Sequence, residues 1–295
     1  MISAPLHALR SRILKRSRQA PLKQIYAQFD GWRLSMRLVT VAGIETAIYV
    51  DNANHTETTL LFVHGVGGDH HGMMPLAYCL KDTYRVIFVD LPGHGNSAMP
   101  PTTDITFLKR WSQELLAAFD MPIEMVVGHS FGCYSAQFMA ASHVCYINPP
   151  LSLSPGVLKY SLTFYSIRHL ASLVYNIRPY AHWRGKQLVH TLDPMVEARI
   201  AWVSDSTSIS RAQFLFHARQ GRQITDGRKL MLRQHVERPG SSVILSEFDK
   251  IATLTHEHAA WIEKLPVLTL PNDHLSILES PEIIARTIDQ QLSAH

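Results

Sequence analysis

The chain has 295 residues, 46% hydrophobic and 18% charged, which is enough apolar material for a sizeable core and excludes a disordered chain. Such a length buries roughly 75% of its unfolded surface without disulfides or metals, and Cys79, Cys133 and Cys145, odd in number and without a C-x-x-C spacing, read as free thiols in a reducing compartment, the cytoplasm. Of the 28 basic residues behind the net charge of +4, six precede the first acid, Asp30, leaving 22 bases against 24 acids, so a nucleic-acid-binding face is not expected.

Those six cations (Arg10, Arg12, Lys15, Arg16, Arg18 and Lys23) sit in a basic N-terminal arm assigned to residues 1–30. Leu6, Leu9, Ile13 and Leu14 recur among them at helical spacing. Two readings fit this pattern: an N-terminal helix that is frayed or docked on the body, and a peripheral membrane contact. The interleaved charges leave no h-region for a secretory signal. No uncharged apolar run approaches the roughly 18 residues of a membrane span, and a soluble chain is expected.

After the arm, Leu38–Val41 and Thr46–Val50 flank Gly43 and predict a hairpin. Thr59–Val63, Val86–Val89, Met125–Val127 and Val144–Ile147 are continuous apolar runs, as in strands buried on both faces of a parallel sheet. Between them, Ile105, Leu108, Leu115, Leu116 and Phe119 share a helix face behind a cap at Thr103 or Asp104, and another helix follows Ser130. Strand and helix alternate, so the class is α/β with right-handed crossovers.

From about Pro149 to Arg238 the alternation stops, and the segment reads as several helices rich in aromatics. It resumes with a strand Val243–Leu245, a helix from about Thr255 to Lys264, a strand Val267–Leu270 and a last helix opened by Ser280, Pro281 and Glu282. This divides the chain into the arm, a first core segment 31–149, a helical insertion 150–238 and a second core segment 239–295.

Gly128-His129-Ser130-Phe131-Gly132 is a G-x-S-x-G string placed directly after a strand and before a helix. The string alone is weak, but its position is not. A serine on a sharp strand-to-helix turn needs glycines two residues to either side, and the strain lifts its hydroxyl above the sheet. Adjacent Cys133 reads as a small packing residue.

Serine needs a base within hydrogen-bond reach, and the base needs an orienting group. Among seventeen histidines, His274 follows the last strand and precedes the last helix, which puts it at the same carboxyl edge of the sheet as Ser130. The orienting acid should come from the preceding strand end. Asp249 is assigned, Glu247 is the second choice, and Asp273 reads as a loop residue turned away. Donors for an oxyanion are expected from the Gly65 loop, with the backbone N–H groups of Val66 and Phe131 assigned.

His70-His71 near Asp69, and His256-Glu257-His258, lack the i, i+4 spacing of a helical metal site, so no metal and no cofactor is expected. Tyr160, Phe164, Tyr165, Tyr175, Tyr180, Trp183, Trp202, Phe214 and Phe216 divide between an acyl pocket and ordinary packing. Arg168, Arg178 and Arg184 are left open between binding a substrate carboxylate and a solvated helix face.

Together, His64-Gly65, the run Asp90-Leu91-Pro92-Gly93-His94-Gly95-Asn96-Ser97, the elbow from Gly128 to Gly132 and the late His274 resemble the α/β-hydrolase superfamily, from about residue 38 to the end. The D-x-P-G-x-G-x-S run is similar to its single-domain esterase, lipase-like and carbon-carbon-bond hydrolase branch. The resemblance implies a mostly parallel central sheet flanked by helices, with 150–238 as a cap over the site. Ser246 and Cys133 stand where the family often has glycine, and serine as nucleophile argues against the dehalogenase and epoxide-hydrolase branches. The expected function is a serine hydrolase of the esterase type, acting on a small or medium apolar ester, thioester or lactone as its small-molecule acyl substrate. Carbon-carbon-bond hydrolysis, acyl transfer and a ligand-sensing receptor are the alternatives on the same fold.

Overall fold

The computed structural model describes residues 19–51, 56–102, 104–155, 165–225, 240–253 and 262–293. A helix α1 (residues 19–30) precedes a hairpin of β1 (Leu34–Val41) and β2 (Ile44–Asp51). The two-residue loop between them is Ala42 and Gly43, both at positive φ (51° and 84°), the conformation that matches strand twist in a tight hairpin. Both strands run longer than the sequence pattern marks, because backbone pairing from Leu34↔Asp51 to Val41↔Ile44 carries the polar ends along.

The parallel strands follow: β3 (Thr59–Val63), β4 (Arg85–Val89), β5 (Met125–His129), β6 (His143–Ile147), β8 (Ser241–Ser246) and β10 (Val267–Leu270). The eight-stranded order is β1-β2-β4-β3-β5-β6-β8-β10, parallel from β4 onward. A separate antiparallel pair joins β7 (Ser152–Leu153) to β9 (Ala252–Thr253). The apolar runs are buried because both sheet faces are covered. Leu60 and Phe62 enter one core with Met73, Leu76 and Ile284, while Leu61 and Val63 enter the other with Trp111, Leu115 and Tyr134.

The helices give these two outer layers. On one side lie α2 (Met74–Tyr78), α9 (Ser276–Glu279) and α10 (Pro281–Ser293); on the other, α3 (Ile105–Ala117) and the short α4 (Gly132–Ala136). Asp104 caps α3 by accepting from Thr106 N; Thr103 lies outside the described residues. The face of α3 is Phe107, Leu108, Trp111 and Leu115, with Trp111 donating from Nε1 to Thr46 Oγ1 at 2.9 Å, so Ile105 and Leu116 flank the buried stripe and do not centre it. The helix expected from Thr255 to Lys264 falls largely outside the described residues.

Between β6 and β8 the described residues include α5 (Arg168–Val174), α6 (Arg178–Lys186), α7 (Pro194–Ser206) and α8 (Arg211–Thr225). The second half of the assigned arm docks against them. Ile25 and Phe29 are buried, Phe29 meets the Trp202 ring at 4.5 Å, and Trp202 Nε1 donates to Asp30. Residues 1–18 lie outside the described residues. Among the described residues no helix is long and apolar enough to cross a membrane.

The D-x-P-G-x-G-x-S run folds as a knot around Asp90. Its fully buried carboxylate accepts from His70 N (2.9 Å), Asn96 N (2.9 Å) and Tyr49 OH (2.9 Å), and faces His70 Nδ1 (3.0 Å). Gly95 sits at φ +48°, where a Cβ would lie 2.1 Å from Asp90 Oδ2. Ser97 closes the knot by donating to Asp90 O and accepting from Ala47 N. Burial works to raise the Asp90 pKa, but the hydrogen bond and charge of His70, the charge of His64 and the Asn96 N–H outweigh it and hold it at about 2.

A carboxyl depressed in the folded state stabilises fully above its unfolded pKa and loses that contribution as pH falls through the folded value. Asp90→Asn is therefore expected to cost about 2 to 4 kcal/mol at neutral pH. Urea denaturation should show the gap to wild type narrowing as pH falls from about 4 towards 2.

Candidate active site

Ser130 stands at φ +51° on the turn between β5 and α4, its N–H held by Ile147 O at 2.9 Å. The flanking glycines are steric requirements. A Cβ on Gly128 would lie 2.9 Å from Gly132 O, and one on Gly132 would lie 2.2 Å from Val63 O. Gly65 on the β3 loop is also tight, since a Cβ there would stand 3.1 Å from Ser130 Cβ. The elbow and the β3 loop thus pack backbone to backbone. Cys133 donates its thiol to Gly128 O at 3.1 Å, and burial pushes that thiol far up, so it is a packing group.

The structure brings the three assigned side chains together. His274 Nε2 is 2.8 Å from Ser130 Oγ, and His274 Nδ1 is 2.9 Å from Asp249 Oδ2 and 3.1 Å from Oδ1. A carboxylate only accepts, so Nδ1 carries the proton and Nε2 offers its lone pair to the serine hydroxyl. Asp249 Oδ1 also accepts from Ile251 N and Ala252 N, each at 2.8 Å. Burial raises the Asp249 pKa, but the charge and hydrogen bond of His274 and the two N–H groups outweigh it and keep the group low.

The other carboxylates are placed elsewhere. Glu247 is exposed, its N–H given to Leu270 O. Asp273 is a loop residue off the His274 ring, fully buried, and its carboxylate accepts from His274 N (2.7 Å) and Lys250 N (2.9 Å) with Lys250 Nζ beside it. It braces the histidine loop through the main chain.

Two residues that sequence reasoning passed over fix that loop from below. His129 Nε2 donates to His274 O at 2.9 Å, and Asn148 Nδ2 donates to the same oxygen at 2.8 Å. Burial, then the neighbouring His274, lower the His129 pKa to about 3, so its ring stays neutral. His129 could have been read as the first variable position of the elbow. Asn148, at φ +47° beyond β6, carried no signal in the string.

Among the described residues, the N–H groups of Val66 and Phe131 donate to no protein acceptor. Val66 borders a cavity of about 250 Å³ that holds Ser130 and His274. Its walls are mostly apolar, with Met73, Leu188, Ile200, Val203, Leu275 and Leu278 among them, and Asp69, Asn176, Ser204 and Thr207 add polar lining. Of the aromatics weighed for an acyl pocket, only Tyr175 among the described residues lines this cavity. Trp202, Phe214 and Phe216 are buried in packing, Trp183 is exposed, and Tyr160 and Phe164 lie outside the described residues. Arg184 also lines the cavity, stacked on Tyr175 at 3.7 Å, its buried Nε without a hydrogen-bond partner among the described residues.

Asp69, His70 and His71 do bring ligand-type atoms within 4.8 Å of one another, although their spacing is not that of a helical metal site. Those atoms already bond within the protein. Asp69 Oδ1 accepts from His71 N and Thr207 Oγ1 and faces His71 Nδ1, while His70 Nδ1 faces Asp90. His256, Glu257 and His258 lie outside the described residues.

Comparison with known proteins agrees with this architecture. The chain is 34% identical over 92 residues to 2-succinyl-6-hydroxy-2,4-cyclohexadiene-1-carboxylate synthase of Yersinia enterocolitica, covering 31% of this chain and 32% of that protein. It is 37% identical over 71 residues to Lipase 3 of Moraxella sp., covering 24% of this chain and 22% of that protein. The matches thus span about a third or less of these relatives. Among solved structures, a membrane phospholipase A described as a bacterial virulence factor superposes with a TM-score of 0.68 at 21% identity, over 99% of this chain and 96% of that one. Carboxylesterase CesB from Bacillus subtilis gives 0.65 at 14% identity, over 94% and 98%. At such identities the likeness is one of fold. The family model described as the alpha/beta hydrolase family matches residues 60–287, and the chain belongs to that family.

Proposed function

We propose that this protein is a serine hydrolase that cleaves a small or medium aliphatic ester, thioester or lactone through an acyl-enzyme. The observation that carries the reading is the unbroken chain from Ser130 Oγ to His274 to Asp249, with contacts of 2.8 and 2.9 Å. In this mechanism His274 Nε2 takes the Ser130 proton as Oγ attacks the carbonyl carbon. The imidazolium stays paired with Asp249, and the oxyanion accepts from Val66 N–H and Phe131 N–H. His274 then returns the proton to the leaving group, and water repeats the sequence on the acyl-serine.

Each oxyanion donor contributes about 2.7 to 4 kcal/mol to the transition state. The helical insertion 150–238 serves as a cap, since Ala181, Leu188, Ile200 and Val203 from α6, α7 and their connection supply cavity wall. The mostly apolar lining favours an apolar acyl group, and relatives named as a lipase and a carboxylesterase support ester chemistry.

A second reading, a substrate that also carries an anionic group, is favoured by Arg184 at the cavity wall, whose Nε has no partner among the described residues. Four of the curated relatives are named as synthases of a cyclohexadiene carboxylate. The test is a fluorophosphonate probe with mapping of the labelled peptide, followed by esters of graded acyl length with and without a terminal carboxylate. Label on Ser130 and a preference for uncharged acyl chains are expected. Label elsewhere, or none, overturns the nucleophile, and a preference for the carboxylated series selects the second reading.

A further inference from the structure

The helix α5 is inverted relative to an ordinary surface helix. Of Arg168–Val174 only Ala171 is buried, packed against Ile209 and Phe214, while Leu170 and Leu173 are 67% and 66% exposed. Ile167, Val174 and Ile177 are exposed too, so the apolar residues recur at helical spacing along the outward face. A soluble monomer normally turns such a stripe inward, and a contiguous exposed one marks an interaction surface.

Charge identifies the partner. From Met125 to Leu192 the chain has no acidic residue, and α8, which packs on α5, carries Arg211 and Arg219 and no acid. Among the described residues, the acids of α7 are already engaged, Asp205 with Arg178, His182 and Tyr26, and Glu197 with Lys186, as is Asp69 with His71 and Thr207. A second copy seated here would set arginines against arginines. An anionic lipid surface supplies apolar depth for the leucines and negative headgroups for the cations.

We propose that the outward face of residues 167–183 docks on an anionic phospholipid bilayer and delivers lipid esters to the Ser130 cavity. Tyr175 and Asn176, between the exposed Val174 and Ile177, line that cavity, so the docking face and the cavity share one turn of chain. The docking stands on the surface alone, and delivery of an ester rests on the hydrolase reading.

The test uses the full chain with vesicles of phosphatidylcholine alone or mixed with phosphatidylglycerol, read by co-sedimentation. Wild type and Ser130→Ala should both bind the mixed vesicles and bind neutral ones weakly. Leu170→Ser/Leu173→Ser should lose at least about tenfold in affinity while keeping its thermal midpoint and its turnover of a water-soluble short ester. Three results overturn the docking: wild type that binds neither vesicle, a double variant that binds as tightly as wild type, or a wild-type dimer in solution that the double variant disperses. Vesicle binding without hydrolysis of any ester leaves the docking in place and sinks the hydrolase reading.

Discussion

Ser130→Ala is expected to lower kcat for a short-chain ester by about 10⁶-fold while KM stays within a few-fold of wild type. The substitution removes one oxygen from a site whose other parts are fixed by unrelated contacts. The elbow backbone is held by Ile147 O, the histidine loop by His129 and Asn148, and the cavity wall by the insertion helices. Substrate binding should therefore survive. Residual turnover of roughly 10³ to 10⁴ over water should remain, from binding and the free N–H groups of Val66 and Phe131. His274→Ala should cost a similar factor, and the double variant little more than either single change, because nucleophile and base act as one unit. Steady-state kinetics on the three variants checks this. Two large effects that multiply in the double variant would mean that Ser130 and His274 do not share a step.

The site was legible where its residues are forced by backbone geometry. Glycines flank Ser130 because Gly132 has Val63 O 2.2 Å from where a Cβ would sit, and that constraint is written in the string as G-x-S-x-G. His274 and Asp249 were legible by position, since each follows a strand at the carboxyl edge of a parallel sheet, and β8 and β10 are neighbours there. The β3 to β6 strands were legible because burial on both faces keeps their interiors apolar and leaves the polar Thr59, Arg85, His129 and His143 only at strand ends.

What escaped depends on contacts between distant segments. Asn148 acts on a carbonyl 126 residues away, and nothing local marks an asparagine for that task. The mostly apolar lining was missed because described aromatics of the insertion such as Trp202 pack against the core, here on Phe29, and not around the cavity. The two-stranded pair β7–β9 is too short for any periodicity. The bracing role of Asp273 escaped because nothing in the string marks which main-chain amides a loop carboxylate will satisfy.

Asp249→Asn is expected to reduce kcat by about 10⁴-fold with the fold intact, and the reason lies in how the carboxylate is already used. Oδ1 accepts two main-chain N–H groups, from Ile251 and Ala252, at 2.8 Å each. An asparagine must keep its carbonyl oxygen there, because turning its amide round would set NH₂ against two donors. Its NH₂ is then fixed towards His274 Nδ1. A donor facing Nδ1 draws out the ring nitrogen's lone pair, and the proton moves to Nε2, where it meets the Ser130 hydroxyl and can no longer receive its proton. The loss is thus one of tautomer, with the geometry and KM nearly unchanged. Glu247→Gln should leave kcat within about twofold, since an exposed carboxylate remote from the ring contributes little. Comparison of the two variants by steady-state kinetics, with the thermal midpoint as a control on folding, separates the orienting acid from its neighbour. A full-activity Asp249→Asn would remove Asp249 from the relay.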